Sequence, residues 1–410
     1  MILVENFRVA LLQLWANKFR STLTTLGIII AVTSIIAVVA IIQGASSYIR
    51  DQIRGLGPNV IWVQAQRPPG EAGQRMGRIE LSYEDALAVE EYCPAVVAVS
   101  PMAWGGGSIR FLGESDTTQI IGTTPSFQEV RNWYVDEGRS LTQLDLDHRR
   151  DVLLMGREVI HKLDAEPDEI LGQPVWVNGR RFLVVGLLEE KGSLAGESQD
   201  DYVVMPITAS TKLFGPRALR RVLINAQAAT SELTKEAVSQ IRRLLRRRHR
   251  LDRGTPDDFE IMTQDQLLEF FGKFSFVMTA ILGGIVSVAL VVGGIGIMNI
   301  MLVSVTERTR EIGIRKAVGA RGRDILWQFL VEAVTLSLVG GVIGIGGGYL
   351  VAKAGTLVLS LFFDFPFGVY IPLWAIVLSV TFSGGVGVIS GFYPAFKASR
   401  LDPIEALRHE

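Results

Sequence analysis

The residues able to do chemistry are few and scattered. The four histidines, His148, His161, His249 and His409, have no metal-ligand spacing. Cys93 is the sole cysteine, which excludes an internal disulfide and argues against a cysteine-based metal site. No HExxH and no GxSxG elbow occurs, and without a GxxxxGK[ST] segment the sequence has no loop to cradle ATP phosphates. No catalytic site is legible, although a site assembled from distant residues would be invisible at this level. The Gly/acid segment KGSLAGESQDDY, Lys191 to Tyr202, offers Glu197, Asp200 and Asp201 to a hard cation, but the spacing fits no EF-hand and a mobile loop is the plainer reading.

Two basic stretches could act through charge. Arg242, Arg243, Arg246, Arg247, Arg248, Arg250 and Arg253 surround His249, yet Ile241, Leu244, Leu245 and Leu251 give that segment an apolar side, as a solvated helix face has. Contact with anionic lipid headgroups or a partner protein is the sharper alternative, and a net charge of −1 gives no general reason to expect nucleic acid. The second stretch, Glu307 to Asp324, sets six cations (Arg308, Arg310, Arg315, Lys316, Arg321, Arg323) against three acids, between two long apolar segments. By the positive-inside rule it is a cytoplasmic loop.

The elements that hold this loop are membrane spans. Of 410 residues 48% are hydrophobic and 20% charged, with a mean hydropathy of +0.30. No charge occurs between Arg20 and Arg50, Lys273 and Glu307, Glu332 and Lys353, or Asp364 and Lys397. Each run meets the roughly 20 residues a bilayer core requires of a helix. Four spans, at 21–44, 272–304, 327–352 and 370–396, put both termini on one side, here the cytoplasmic one. Leu3, Phe7, Ala10, Leu11 and Leu14 predict an interfacial amphipathic helix over 1–20. A signal peptide is the competing reading of this start, but the apolar run is too long for one.

Residues 45–271 are then an extracytoplasmic α+β domain. Strand 59–66, a Pro/Gly-rich loop at 67–77, a helix capped by Ser82 and a strand near 96–100 make one βαβ-like unit, and strand 221–226, helix 231–248 and strand 258–263 make another. They belong to a mixed α/β lobe, about 50–121 and 207–265. The middle, about 122–206, reads as an inserted β-rich lobe with a type I′ hairpin at Asn178-Gly179. The second span, charge-free for about 33 residues or near 50 Å, outruns the bilayer and would form a stalk with the end of the first. Glycines at 283, 284, 293, 294, 340, 344, 348, 387 and 391 suggest close helix approach within or between chains. Glu332 lies near enough to Asp324 to snorkel. Phe362, Phe363 and Phe365 mark the external loop 353–369 as an aromatic belt. Pro394 ends the fourth helix, and in the tail 397–410 Asp402 caps a short one at Pro403.

The segment GIGIMNIMLVSVTERTREIGIRKAVGARGRDIL (294–326), the first span NKFRSTLTTLGIIIAVTSIIAVVAIIQGAS (17–46) and the tail GFYPAFKASRLDPIEALRHE resemble the MacB/FtsX-type ABC transporter permeases. The resemblance implies a non-catalytic permease subunit of a bacterial cytoplasmic (inner) membrane, without a fused ATPase. It makes 305–326 a coupling loop pressed by an ABC ATPase, which would itself bind ATP-Mg. The coupling residues would be Arg310, Glu311, Ile312, Gly313, Ile314, Arg315, Lys316, Ala317, Val318, Gly319 and Ala320, with tail contacts from Pro403, Ile404, Glu405, Ala406 and Leu407. Glu311, Arg315 and Lys316 would act by charge, Ile312, Ile314 and Val318 by packing, or the same residues could support the chain's own helices. Other implied partners are a second permease copy or paralogue, membrane lipids and a periplasmic adaptor, with no nucleic acid. The implied function is export by mechanotransmission, and the alternative is a signal transducer that activates a cell-wall hydrolase or senses a ligand.

Overall fold

The computed structural model describes residues 18–68, 70, 79–194, 197–363 and 368–408. The amphipathic helix expected over 1–20 lies outside them except for residues 18–20, as do most of the 67–77 loop, Phe365 and His409. In chain order the first elements are α1 (Lys18–Gly55), β1 (Val60–Ala65), α2 (Tyr83–Tyr92), β2 (Val96–Phe111), β3 (Glu114–Thr123) and α3 (Phe127–Arg131). Strands β4 (Val135–Gly138), β5 (Val152–Met155), β6 (Pro174–Val177), β7 (Arg180–Leu188), β8 (Tyr202–Pro206) and β9 (Leu223–Ala228) follow, with short helices between them. After α4 (Thr234–Arg248) and β10 (Phe259–Thr263) come α5 (Gln264–Glu307), α6 (Thr309–Ala317), α7 (Gly322–Phe363), α8 (Leu373–Ser399) and α9 (Pro403–Arg408). The chain divides into two compact units, Ile49–Phe271 and the remainder.

In the extracytoplasmic unit, β1 pairs antiparallel with β9 and β10, and β9 pairs antiparallel with β2. The order β10-β1-β9-β2 interleaves the two βαβ units, each placing a strand between the two of the other, as in a ferredoxin-like sheet. Ser82 starts α2 through a reciprocal capping box with Asp85. Ile61, Val63, Val89, Ile224, Ile241 and Leu245 form the core of this half.

Strand β2 continues from this sheet into the β-rich half. Its Val96–Met102 part faces β9 and its Ala103–Phe111 part pairs with β3. The β-rich part therefore starts before residue 122. The turn responsible is Leu112-Gly113, both at positive φ, which the sequence hides because leucine seldom adopts that conformation. Beyond it, β3 and β8 run parallel, β8 and β5 antiparallel, and β5 and β7 parallel, while β6 is antiparallel to both β2 and β7. Asn178 (φ 47°) and Gly179 (φ 76°) make the β6–β7 turn with both residues left-handed, as a type I′ hairpin requires.

Among the described residues, the membrane unit holds four helices long and apolar enough to cross a bilayer, α1, α5, α7 and α8. Its core gathers Ile28, Val32, Ile36, Ile297, Met301, Phe329, Ala333 and Ala395. Many glycines of these helices are consumed inside the chain. A Cβ on Gly344 or Gly348 would strike Val32 or Ile36 of α1, and one on Gly387 or Gly391 would strike Ser337 or Ala333 of α7, whereas Gly283 and Gly284 face open space. Ser46 Oγ and Ser275 Oγ, 2.6 Å apart, tie α1 to α5. Exposed Val288, Val291 and Val292 suit contact with lipid. Pro394 does not end the fourth helix: α8 runs through it to Ser399. A proline in a membrane helix is tolerated where neighbouring groups compensate for the missing backbone bond.

Candidate functional site

The loop between the second and third spans is built on α6, TREIGIRKA. A single non-helical residue, Arg308, separates it from α5. Its end is a Schellman cap: Gly319 adopts φ +108°, the Ala320 N–H donates to the Arg315 carbonyl and the Gly319 N–H to that of Lys316. Gly319 and Ala320 thus shape the turn. Arg321 N–H then bonds the Asp324 carboxylate at 3.1 Å as α7 begins.

Helical periodicity sorts the expected contact residues onto two faces. Arg308, Ile312 and Lys316, spaced by four, turn inward. Ile312 is 2% exposed within the core of the spans, and Gly313 beside it is buried too. Lys316 Nζ donates to the carbonyls of Ser399 at 2.7 Å and Leu401 at 2.8 Å. Arg308 Nη1 lies 3.4 Å from Glu332 Oε2, so the membrane acid is ion-paired to the loop. Arg310, Ile314 and Val318, also spaced by four, turn outward, Ile314 46% and Val318 85% exposed. Glu311 and Arg315 are exposed and paired with each other, and Ala317 is exposed beside them.

Helix α9 packs on α6. Asp402 Oδ1 accepts the Ile404 N–H at 2.8 Å and caps it. Ile404 is 76% exposed and Glu405 exposed, while Ala406 is buried and Pro403 half-buried. The Leu407 side chain lies outside the described residues. The outcome is an exposed platform of two helices with apolar Ile314, Val318 and Ile404 among charged groups.

Residues 21–244 match the family described as MacB-like periplasmic core domain, and residues 283–403 match the FtsX-like permease C-terminal family. The chain belongs to the MacB/FtsX-type ABC transporter permeases. Among curated relatives, the permease is 35% identical to the macrolide export ATP-binding/permease protein MacB of Bdellovibrio bacteriovorus, over 100% of this chain and 62% of that protein. It is 36% identical to the pyoverdine export ATP-binding/permease protein PvdT of Pseudomonas entomophila, over 100% and 60%. The permease chain thus spans about three fifths of the length of these relatives. The crystal structure of the periplasmic region of MacB from Actinobacillus actinomycetemcomitans is similar at TM-score 0.43 and 22% identity, covering 54% of this chain and 95% of that one.

Elsewhere in the permease, the arginine run is largely bound by acids. Arg242 and Arg246 both reach Asp257, Arg243 reaches Glu236, and Arg248 reaches Asp85 at 2.6 Å. His249 sits between Asp258, 2.8 Å from Nδ1, and Asp85, 3.4 Å from Nε2. In the Gly/acid loop the Glu197 side chain lies outside the described residues. Asp200 accepts the backbone N–H groups of Lys191 at 2.8 Å and Gly192 at 2.7 Å, and Asp201 pairs with Lys162 at 2.7 Å. Among the described residues no group of three His, Cys, Asp or Glu side chains could hold a metal. The carbonyls of Ser399 and Leu401 are partners of Lys316 that sequence reasoning misses. Backbone acceptors leave no mark in residue types, so no signal could have found them.

Proposed function

We propose that this permease takes up the work of a separate ABC ATPase at α6 and α9 and converts it into motion of its extracytoplasmic domain, driving export by mechanotransmission. The observation that carries the reading is the outward stripe of Arg310, Ile314 and Val318 beside exposed Ile404: apolar side chains in a charged rim, on a loop whose positive charge favours the cytoplasmic face. Export is favoured because the relatives named above are exporters of a macrolide and of pyoverdine. Both termini then lie in the cytoplasm. A second copy or a paralogue completes the membrane part, and a periplasmic adaptor is a further candidate partner of the outer domain.

The test is affinity purification of the tagged full chain in mild detergent, followed by mass spectrometry and an ATPase assay, with and without Glu311→Lys. A copurifying ABC ATPase that is lost in the variant supports the reading. Normal copurification of the variant removes Glu311 from the surface, and absence of any ATPase with the parental chain overturns the coupling role.

A further inference from the structure

Three attachments on α6 reach the third and fourth spans, beside the Thr309 hydroxyl, which bonds the Val305 and Thr306 carbonyls of α5. The Lys316 ammonium gives two of its three donors to the carbonyls of Ser399 and Leu401, at 2.7 and 2.8 Å. The Ser399 carbonyl ends α8, where a helix lacks intrahelical partners and carries the negative end of its dipole, so a cation there is doubly favourable, and the Leu401 carbonyl lies two residues beyond. The Ser399 carbonyl also receives α7: a Cβ on Gly322 would lie 2.9 Å from that oxygen. One turn back along α6, Ile312 is buried in the cluster that holds Ile325 and Phe329 of α7 and Ala398 of α8 together with Met301 and Val305 of α5. One turn further, Arg308 meets Glu332 of α7, whose side chain is 14% exposed.

We infer that Lys316 and the Arg308–Glu332 pair are positioning residues that make α6 travel with α7 and α8. The covalent link to α5 passes through one residue outside helical geometry, Arg308 at φ −102° and ψ 13°, spanned by the Arg308 N–H bond to the Ser304 carbonyl. Force applied to the outward stripe of 310, 314 and 318 therefore passes through the inward stripe of 308, 312 and 316 into the paired third and fourth spans. Lys316 is the joint to the fourth span and Glu332 the joint to the third. This rests on the reading that the ATPase docks on α6.

The experiment places spin labels on the full chain, at Ala317→Cys of α6 and Ile389→Cys of α8, both exposed, with Cys93 changed to Ala. Distances are read with and without nucleotide, and copurification of the ATPase is followed in the same samples. In the parental background a narrow distribution that keeps its width on adding ATP is expected. Lys316→Met with Glu332→Gln broadens it and abolishes the nucleotide-dependent change in proteolysis of the extracytoplasmic domain, while the ATPase still copurifies. Lys316→Arg, which keeps a cation with several donors, restores the narrow distribution. An unbroadened distribution with intact coupling in the double variant overturns the latch. Absence of the ATPase from the parental sample overturns the docking reading alone, because the distance between α6 and α8 is still measured.

Discussion

Gly27 of the first span and Gly293 of the second meet backbone to backbone: a Cβ on Gly27 would lie 2.8 Å from the Cα of Gly293. No side chain can yield there, so the two helices must separate if either glycine is enlarged. Gly27→Leu is expected to destabilise the membrane unit by about 1–3 kcal/mol or more, the usual cost of overpacking. Gly283→Leu, in open space, is expected to leave it unchanged. Thermal unfolding of the two purified variants in one detergent checks the contrast, and equal losses would show that this contact does not hold the helices.

His249 makes the stability of the extracytoplasmic unit depend on pH. Its imidazole is pushed above its ordinary value first by the hydrogen bond with Asp85, which together with Asp258 outweighs burial. The groups facing it are Asp85, Arg248 and Asp258, with the Phe259 ring edge-on at 6.0 Å. A group raised in the folded state stabilises fully below its unfolded value, about 6.5, and loses that contribution as pH rises through the folded value. Asp85 behaves oppositely. Burial would raise its carboxyl, but hydrogen bonds from His249, Arg248 and Ser82 hold it well below the carboxylate range, so its contribution is lost only in acid. Melting of the full chain should therefore fall as pH rises above about 6.5, and His249→Gln should flatten that slope.

Ile312 and Val318 separate packing from docking on the same helix. Ile312→Ala leaves a cavity among Ile325, Phe329 and Ala398 and is expected to cost about 2–5 kcal/mol. Val318→Asp changes a residue that is 85% exposed and is expected to leave folding within about 0.5 kcal/mol of the parent. Its effect should appear in ATPase copurification. Unchanged copurification would take Val318 out of the docking surface.

Asp200 fastens the loop that precedes β8. Asp200→Ala removes the acceptor for two backbone N–H groups and is expected to cost about 1–3 kcal/mol of local stability. Hydrogen exchange at Lys191 and Gly192 should accelerate, while the amides of α7 and α8 keep the parental rate. Parental exchange at both loop amides would show that other contacts hold the loop.

What the sequence determined alone were the features that depend on a short stretch of chain. Four charge-free runs became four long helices because transfer of an apolar segment into a bilayer is a property of that segment. Asn178-Gly179 became a type I′ turn and Ser82 a helix cap because both require only local dihedrals and a bond to a residue nearby. Tertiary structure alone decided the partners. Which face of α6 looks inward followed from the packing of Ile312, and the bonds from Lys316 to Ser399 and Leu401 join residues more than eighty positions apart. The interleaving of β1, β9, β10 and β2 was likewise settled by pairing between distant strands. Such contacts form only when the whole chain has closed its loops, and no residue type announces which distant carbonyl or strand edge it will meet.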